Sequence, residues 1–457
     1  MSADATPKAA NIDLASLEND LTEKGVEFLM SGFVDMHGCI KTKFVPTDHL
    51  THMVGGSELF TGAAVDGVPQ QVSDEEVSAH ADPASCTQLP WRPEVAWFAS
   101  DLWCEGKPFE ACSRNILNRQ RAAAADLGLA FNLGIEAEFF VLKDGPDGPA
   151  FATDRAPLAK ACYDGYRGLD NLDVIGDLVR AMQGLGWGVY SFDHEDANSQ
   201  FEIDFSYAEC RTMADRFVFL RMMAHEIARE HGLFATFMPK PFVNQTGSGA
   251  HFNMSMADIE TGKNLFEAEE DPRGCDLSEL GYHFTAGLLR HLPAIMAVVA
   301  PTVNSYKRLV KQGQMSQFTW APVFVCYGNN NRTNALRIPL GGGRVELRAA
   351  DSSCNPYLGA AMVLAAGLEG IRDKADPGEP QRENMYLKSQ AELDAMGIKE
   401  LPHTLGEALE AFKSDPLSRQ VFGDAMYESW LAYKEDEWLG YLNHVSDWER
   451  DRYLKMY

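Results

Sequence analysis

The chain has 457 residues, 45% of them hydrophobic and 23% charged, with a formal net charge of −26. That length exceeds one ordinary core and predicts two domains or one large domain with an appendage, in a composition typical of soluble globular enzymes. A negative field of this size argues against nucleic acid and anionic membrane as partners. It leaves anionic substrates open, because these need only a local group of arginines and lysines. The nine cysteines include no CxxC pair, which fits a reducing cytoplasm better than a disulfide scaffold or a zinc ribbon. The first residues, MSADATPKAA, hold no apolar stretch of the kind a secretory signal requires. The longest apolar runs, 294–300 and 359–368, are too short to span a bilayer.

In chain order, Asn11–Lys24 carries Ile12, Leu14, Leu17 and Leu21 at helical spacing, with Gly25 as a stop. Val26–Asp35 and Ile40–Val45 read as strands around a turn at Gly38. Shorter β-like pieces follow, among them Val95–Asp101. Residues 1–108 therefore read as a small β-rich domain, and 109–457 as a larger second domain. The second opens with a helix at Ser113–Asp126 that leads into a strand, Gly134–Phe140 (GIEAEFF). A polar connection spans Lys143–Gly168. A helix at Asn171–Gly184 and strands at Gly188–Phe192 and Ser199–Phe205 come next. Ala208–His231 reads as a long helix with core-facing methionines. Leu233–Met238, Ala250–Met256, Phe324–Tyr327 and Gly343–Asp351 read as strands. Leu277–Ala300 and Pro356–Lys374 read as helices. The tail is mostly helical, with Trp430, Trp438 and Trp448 at apolar positions.

Alternate strand residues share a face, so Glu136 and Glu138 point the same way. Two adjacent carboxylates repel unless a cation lies between them or one is protonated. Alone, this pair is more often a solvated edge strand. Three further segments repeat the i, i+2 pattern: Gln200–Glu202–Asp204 after His194-Glu195, His251–Asn253–Ser255, and Arg344–Glu346–Arg348. Taken singly, His251 reads as a hydrogen-bonded core histidine and the arginine–glutamate set as a solvated salt-bridge row. Taken together on one curved sheet, five glutamates and a histidine would hold two or three hard cations such as Mg²⁺ or Mn²⁺. The arginines would supply anion contacts. That is equipment for a nucleoside triphosphate, although no GxxxxGK[ST] loop is present.

With these motifs in hand, the chain resembles the glutamine synthetase family from about Gly25 to its C-terminus. The resemblance rests on PWRPEVAWFASDLWCEGKPFE (90–110), GIEAEFF (134–140), HED…QFE (194–202), FMPKPFVNQTGSGAHFNMS (237–255), NSYKRLV (304–310), NRTNALRIP (331–339) and RVELRAADSSCNPYL (344–358). It implies an α+β fold with an N-terminal β-grasp domain and a catalytic domain built on a curved antiparallel sheet. It also implies a homo-oligomer, a double hexameric ring in which the small domain of one subunit closes its neighbour's site. The implied chemistry is ATP-dependent amide formation: the γ-carboxylate of L-glutamate takes the γ-phosphate of ATP, and an amine then displaces phosphate.

Position by position, the resemblance assigns Glu138, Glu195 and Glu202 to one metal site and Glu136, His251 and Glu346 to a second. Gly247, Arg308 and Arg348 fall where the family holds glutamate. Arg332, Arg337 and Arg344, with Asn253 and Ser255, fall where it holds ATP, and Arg332 is also placed among the catalytic residues.

Family members that use ammonia bind ammonium with two carboxylates. Here the first is replaced by Thr61, within Phe60-Thr61-Gly62-Ala63-Ala64. The second lies on a flap that runs KQGQMSQFTWAPV (311–323), where Trp320 takes the acidic position. No Asp or Glu occurs between Arg308 and Glu346, so the second loss does not depend on alignment. An indole face attracts an alkylammonium by about 0.5–2 kcal/mol, and a buried methyl adds about 0.8 kcal/mol. The expected substrate is thus a small alkylamine, methylamine first, in the branch of the family that makes γ-glutamylamides. Rival expectations are ammonia, a longer amine such as ethylamine, ethanolamine or a polyamine, a kinase that makes no amide, and a non-catalytic relative. The amine must lose a proton before attack, and Asp66, Glu136 or a phosphate oxygen are the candidate bases. Thr246 stands where many relatives have Asn, and Tyr386 reads as an ordinary loop tyrosine.

Overall fold

The computed structural model describes residues 12–311 and 321–457. Trp320 lies outside the described residues. No described helix is long and apolar enough to cross a membrane.

Seven strands form the first sheet: β1 (Phe28–Val34), β2 (Ile40–Pro46), β3 (Glu58–Phe60), β4 (Val77–Ala81), β5 (Thr87–Leu89), β6 (Arg92–Cys104) and β7 (Lys107–Pro108). Their order is β2-β1-β6-β4-β3, with β5 and β7 also on β6. The β1–β6 pair is parallel and the other pairs are antiparallel. The helix Leu14–Glu23 starts on an Asp13 cap, and its Leu21 packs with Val26, Leu29 and Phe98 under this sheet.

Ten strands form the second sheet: β8 (Leu129–Gly145), β9 (Gly148–Phe151), β10 (Val189–His194), β11 (Gln200–Phe205), β12 (Ala208–Glu209), β13 (Phe234–Thr236), β14 (Ala250–Asp258), β15 (Phe324–Asn329), β16 (Asn334–Ile338) and β17 (Val345–Leu347). The main path is β10-β11-β8-β14-β17-β16-β15, with β9, β12 and β13 also paired to β8. The sheet is curved and nearly closed. Its pairs are antiparallel except β15–β16, which run parallel. In the sequence β16 is legible only as part of the NRTNALRIP motif.

The GIEAEFF strand is not at an edge. β8 is bonded on both sides, to β11 and to β14. Behind the sheet lie Cys210–Glu230, Glu279–Val299 and Pro356–Asp373, whose buried faces include Met213, Met223, Leu292, Ile295 and Leu358. The Pro356–Asp373 helix begins on Asn355, whose carboxamide oxygen accepts from Tyr357 N and Leu358 N at 3.0 and 3.2 Å. The same side chain donates to the Asp35 carbonyl at 2.9 Å, which ties this helix to the first sheet. In the tail Trp430 is buried, but Trp448 is 63% exposed, against expectation. Its helix, Asp447–Tyr453, buries no residue at all, so helical spacing there has no core to face.

The two sheets share a core. Met30, Val34, Leu89, Trp97 and Ala99 from the first pack in one cluster with Ile116, Phe219 and other residues beyond Pro108. A buried ion group makes the same join. Arg114 donates to Asp82, just past β4, and to Asp101 of β6 at 2.8 Å each, and to both oxygens of Asp215 at 3.0 and 3.1 Å. Tyr357 donates to Asp215 at 2.6 Å.

Candidate active site

Strand register builds the site. Opposite Glu136 on β8 stands His251 of β14, and opposite Glu138 stands Glu202 of β11. Asn253, two residues beyond His251, stands opposite Glu346 of β17, which in turn stands opposite Arg337 of β16. Four separate strands therefore aim their i, i+2 sets at one place.

The oxygens and nitrogens of Glu136, His251 and Glu346 lie within 4.8 Å of one another, as do those of Glu138, Glu202 and His251. His251 Nδ1 is 2.8 Å from Glu136 and 3.6 Å from Glu346, and its Nε2 is 3.6 Å from Glu138. The first of these groups is the second set assigned by resemblance. In the other group His251, rather than Glu195, joins Glu138 and Glu202. Glu195 lies in the turn after β10 and is linked to Glu138 through their mutual repulsion.

Electrostatics mark the group as short of positive charge. Burial, followed by Glu138, Glu136 and Glu195, pushes Glu202 far above the usual carboxylate range. Burial and Glu138 push Glu195 up to about 8. Burial and Glu136 push Asp204 up to about 6. Burial also opposes ionisation of Glu136, but the His251 hydrogen bond and charge, then Asn253, outweigh it and bring it down to about 2. Crowded oxygen donors with one imidazole are the donor set of a hard divalent cation, so the residues fit such an ion.

Glu346 has no solvent exposure and accepts from Arg337 at 2.7 Å and Arg348 at 2.6 Å. Arg344 donates to Asn253 Oδ1 at 2.9 Å, and Asn253 donates to Glu136 at 2.8 Å. Arg308 donates to the Ala349 and Ala350 carbonyls at 2.6 and 2.8 Å. Among the described residues, the Nε atoms of Arg308 and Arg348 are buried without a hydrogen-bond partner, leaving donors for an anion. Gly247 sits hard against this pair's neighbourhood: a Cβ there would lie 2.4 Å from the Pro239 carbonyl and 2.7 Å from Arg308 Cγ.

A cavity of about 910 Å³ opens from Glu136 and Asn253, and Ser255 and Arg344 line it too. Its far wall carries Trp187, Tyr190 and Phe205, and a rim of Gly341–Gly343. The size and the mix of aromatic wall and polar floor suit a nucleotide. Gly342 has φ +61° and a Cβ would fall 1.9 Å from the Asp276 carbonyl, so only glycine fits the rim. Arg337 is engaged with Glu346, and Arg332 is exposed on the 330–333 turn.

Thr61 and Asp66 stand elsewhere. Thr61, just past β3, donates to Glu76 at 3.0 Å. Asp66 is 3.7 Å from His37 and 3.5 Å from the Tyr433 hydroxyl, which donates to it. Neither has a described contact with the carboxylate cluster of its own chain. Several contributors escaped the sequence pattern because their roles are made by backbone or by a turn. Gly249 N donates to Glu138 at 2.8 Å. Cys162 approaches Glu195 at 4.0 Å, with Tyr163 next to it in left-handed backbone. The aromatic wall of Trp187 and Tyr190 carried no spacing signal.

Residues 110–453 match the family described as glutamine synthetase, catalytic domain. The chain is 44% identical over 441 residues to a glutamate–methylamine ligase of Methyloversatilis universalis, covering 96% of this chain and 98% of that one. It is 38% identical over 445 residues to a glutamine synthetase of Rhizobium leguminosarum bv. phaseoli, covering 97% and 99%. Among solved structures it is similar to a GmaS/ADP complex, with TM-score 0.89, 40% identity and 97% and 99% coverage. It is also similar to GmaS without ligand, with TM-score 0.87 and 39% identity over 96% and 99% of the two chains. Sheet order, converging carboxylates and likeness over nearly the full length agree: the chain belongs to the glutamine synthetase family.

Proposed function

We propose that this chain is a glutamate–amine ligase that joins the γ-carboxylate of L-glutamate to methylamine with ATP, through γ-glutamyl phosphate, releasing γ-glutamylmethylamide, ADP and phosphate. The observation that carries the reading is the convergence of Glu136, Glu138, Glu202, His251 and Glu346, with Glu136 also lining a nucleotide-sized cavity. The identity to a glutamate–methylamine ligase supports the choice of amine.

Two anions cannot react until their mutual repulsion is offset. In this reading Glu136, His251 and Glu346 hold one divalent ion, Mg²⁺ or Mn²⁺, and Glu138, Glu195 and Glu202 hold another, with room for a third. Bound there, such ions supply charge neutralisation between carboxylate and phosphate. The chain's own residues do the rest. Arg308 and Arg348 offer their unpaired Nε donors to glutamate, and Gly247 permits close backbone approach. Asn253, Ser255 and Arg344 orient ATP in the cavity, with Arg337 and Arg332 towards its phosphates. Arg332 would steady the transferring phosphoryl group. Thr61 and Asp66, having no described contact with their own chain's cluster, serve a neighbouring subunit in a ring-shaped homo-oligomer. There Thr61 and Trp320 give the amine an apolar seat, and Asp66 is a candidate to take its proton.

Incubating the protein with glutamate, ATP, Mg²⁺ and a mixture of small amines, then identifying products by mass, tests the reading. γ-Glutamylmethylamide as the dominant product is expected. The glutamine synthetases among the relatives favour ammonia as the second reading. A kcat/KM for ammonium above that for methylamine would decide for it.

A further inference from the structure

Loop 241–248, which carries Gly247, is fastened to the turn that carries Glu195 by two adjacent contacts. Thr246 Oγ1 donates to Asp196 Oδ2 at 2.5 Å. Gln245 Oε1 accepts from both the backbone and the side-chain nitrogen of Asn198, at 3.0 Å each. Asn198 has no solvent exposure and is itself anchored to a third segment. Its Oδ1 accepts from Leu158 N at 3.0 Å and Arg167 Nε at 3.2 Å, and its Nδ2 donates to the Leu158 carbonyl at 2.9 Å. On the inner side, Gln200 Nε2 reaches the Gly247 carbonyl at 3.1 Å and Glu138 at 3.3 Å. The Gly247 turn is thus gripped from two directions, and the outer grip ends on the residue next to Glu195.

Asp196 is 8% exposed, so its carboxylate depends on protein donors. A hydroxyl donating to a buried carboxylate is a strong bond and a directional one. Thr246 is consequently turned towards Asp196. We propose that Thr246 and Asp196 form a latch that positions the Gly247 turn, making both of them positioning residues for glutamate. The proposal rests on the reading of Gly247 and Arg308 as the glutamate site. It predicts that the latch acts on glutamate binding and not on nucleotide binding, because Gly247 contacts Arg308 and Gln200, and none of these three residues lines the cavity.

The test uses Thr246→Val, which keeps the shape and removes the donor, Thr246→Ser, which keeps the donor, Asp196→Ala alone, and Asp196→Ala combined with Thr246→Val. Steady-state kinetics and amide hydrogen exchange across 244–249 are measured on each full-length protein. Thr246→Val is expected to raise the KM for glutamate about tenfold, with the KM for ATP holding and the effect on kcat small. Exchange at Ser248 and Gly249 should speed up. Thr246→Ser should restore both, and the double variant should be no worse than Asp196→Ala alone. Wild-type exchange and wild-type glutamate KM in Thr246→Val would overturn the latch. So would a loss shared equally by glutamate and ATP. If instead the wild-type protein releases ADP without needing glutamate, the proposed function fails, and the exchange comparison still decides whether the latch exists.

Discussion

Replacing Glu346 by glutamine changes one oxygen of a side chain with no solvent exposure. Arg337 and Arg348 bond to different oxygens of it, at 2.7 and 2.6 Å. An amide can accept on one side only, so one arginine would face an NH₂ group. Breaking half of such a buried pair costs about 3 kcal/mol in the metal-free protein. The second consequence concerns cations. Glu346 lies 3.6 Å from His251 in the group with Glu136. Losing that charge should weaken divalent-ion binding by about 100-fold or more, since even residues that only support a ligand cost up to that much. At an Mn²⁺ concentration 100 times the wild-type Kd, the ion stabilises the wild type by about 2.7 kcal/mol. The same concentration would stabilise the variant by no more than about 0.4 kcal/mol. Scanning calorimetry with and without Mn²⁺ reads both numbers. A variant that keeps the full Mn²⁺-dependent rise in Tm would refute the assignment of Glu346 to an ion site. It would leave Glu346 as an arginine partner only.

Other outcomes follow from the same geometry. His291 is held by Asp415 at 2.7 Å and Glu369 at 3.0 Å, and although burial opposes protonation, these partners raise its pKa above 6.5. Its contribution is therefore complete below pH 6.5 and fades as pH climbs through the raised folded value. His291→Gln should flatten that decline in a pH series of urea melts, whereas an unaltered pH profile would contradict the pairing. Gly342→Ala forces a Cβ into the Asp276 carbonyl at positive φ. It should raise the KM for ATP more than that for glutamate, by about tenfold for a rim displaced at a cost of about 1.5 kcal/mol. Arg114→Ala strips the shared cation from Asp82, Asp101 and Asp215 and should destabilise the protein by about 3–5 kcal/mol, measured by chemical denaturation. Introducing Asp at Thr61 and Glu at Trp320 together should move the ratio of kcat/KM values towards ammonium, and an unmoved ratio would remove both from the amine site.

What could be read from the sequence was what strand periodicity dictates. Glu136 and Glu138 had to share a face, and so did His251 and Asn253. Which strands lie side by side is decided by long-range pairing, and spacing within a strand carries no trace of it. That is why His251 emerges as the shared member of both ligand groups, and why β8 turns out to be central. Arg337 and Arg348 were legible as cations, but not as partners of Glu346, since that depends on the register of β16 with β17. The contacts of Gly249, Gln245 and Asn198 are made by backbone atoms or in turns, where hydrophobic patterning is silent. Trp448 misled because helical spacing reports a potential face and not whether anything covers it.

Arg114 carries one further lesson, about where this protein can be divided. In the sequence Pro108 reads as a boundary, yet the guanidinium just past it neutralises acids on the near side. A fragment ending at 108 would leave Asp82 and Asp101 without their counter-ion and Trp97 without its packing partners. The first sheet is in this sense built onto the second, and swapping residues 1–108 between relatives would require carrying Arg114 and Asp215 along with them.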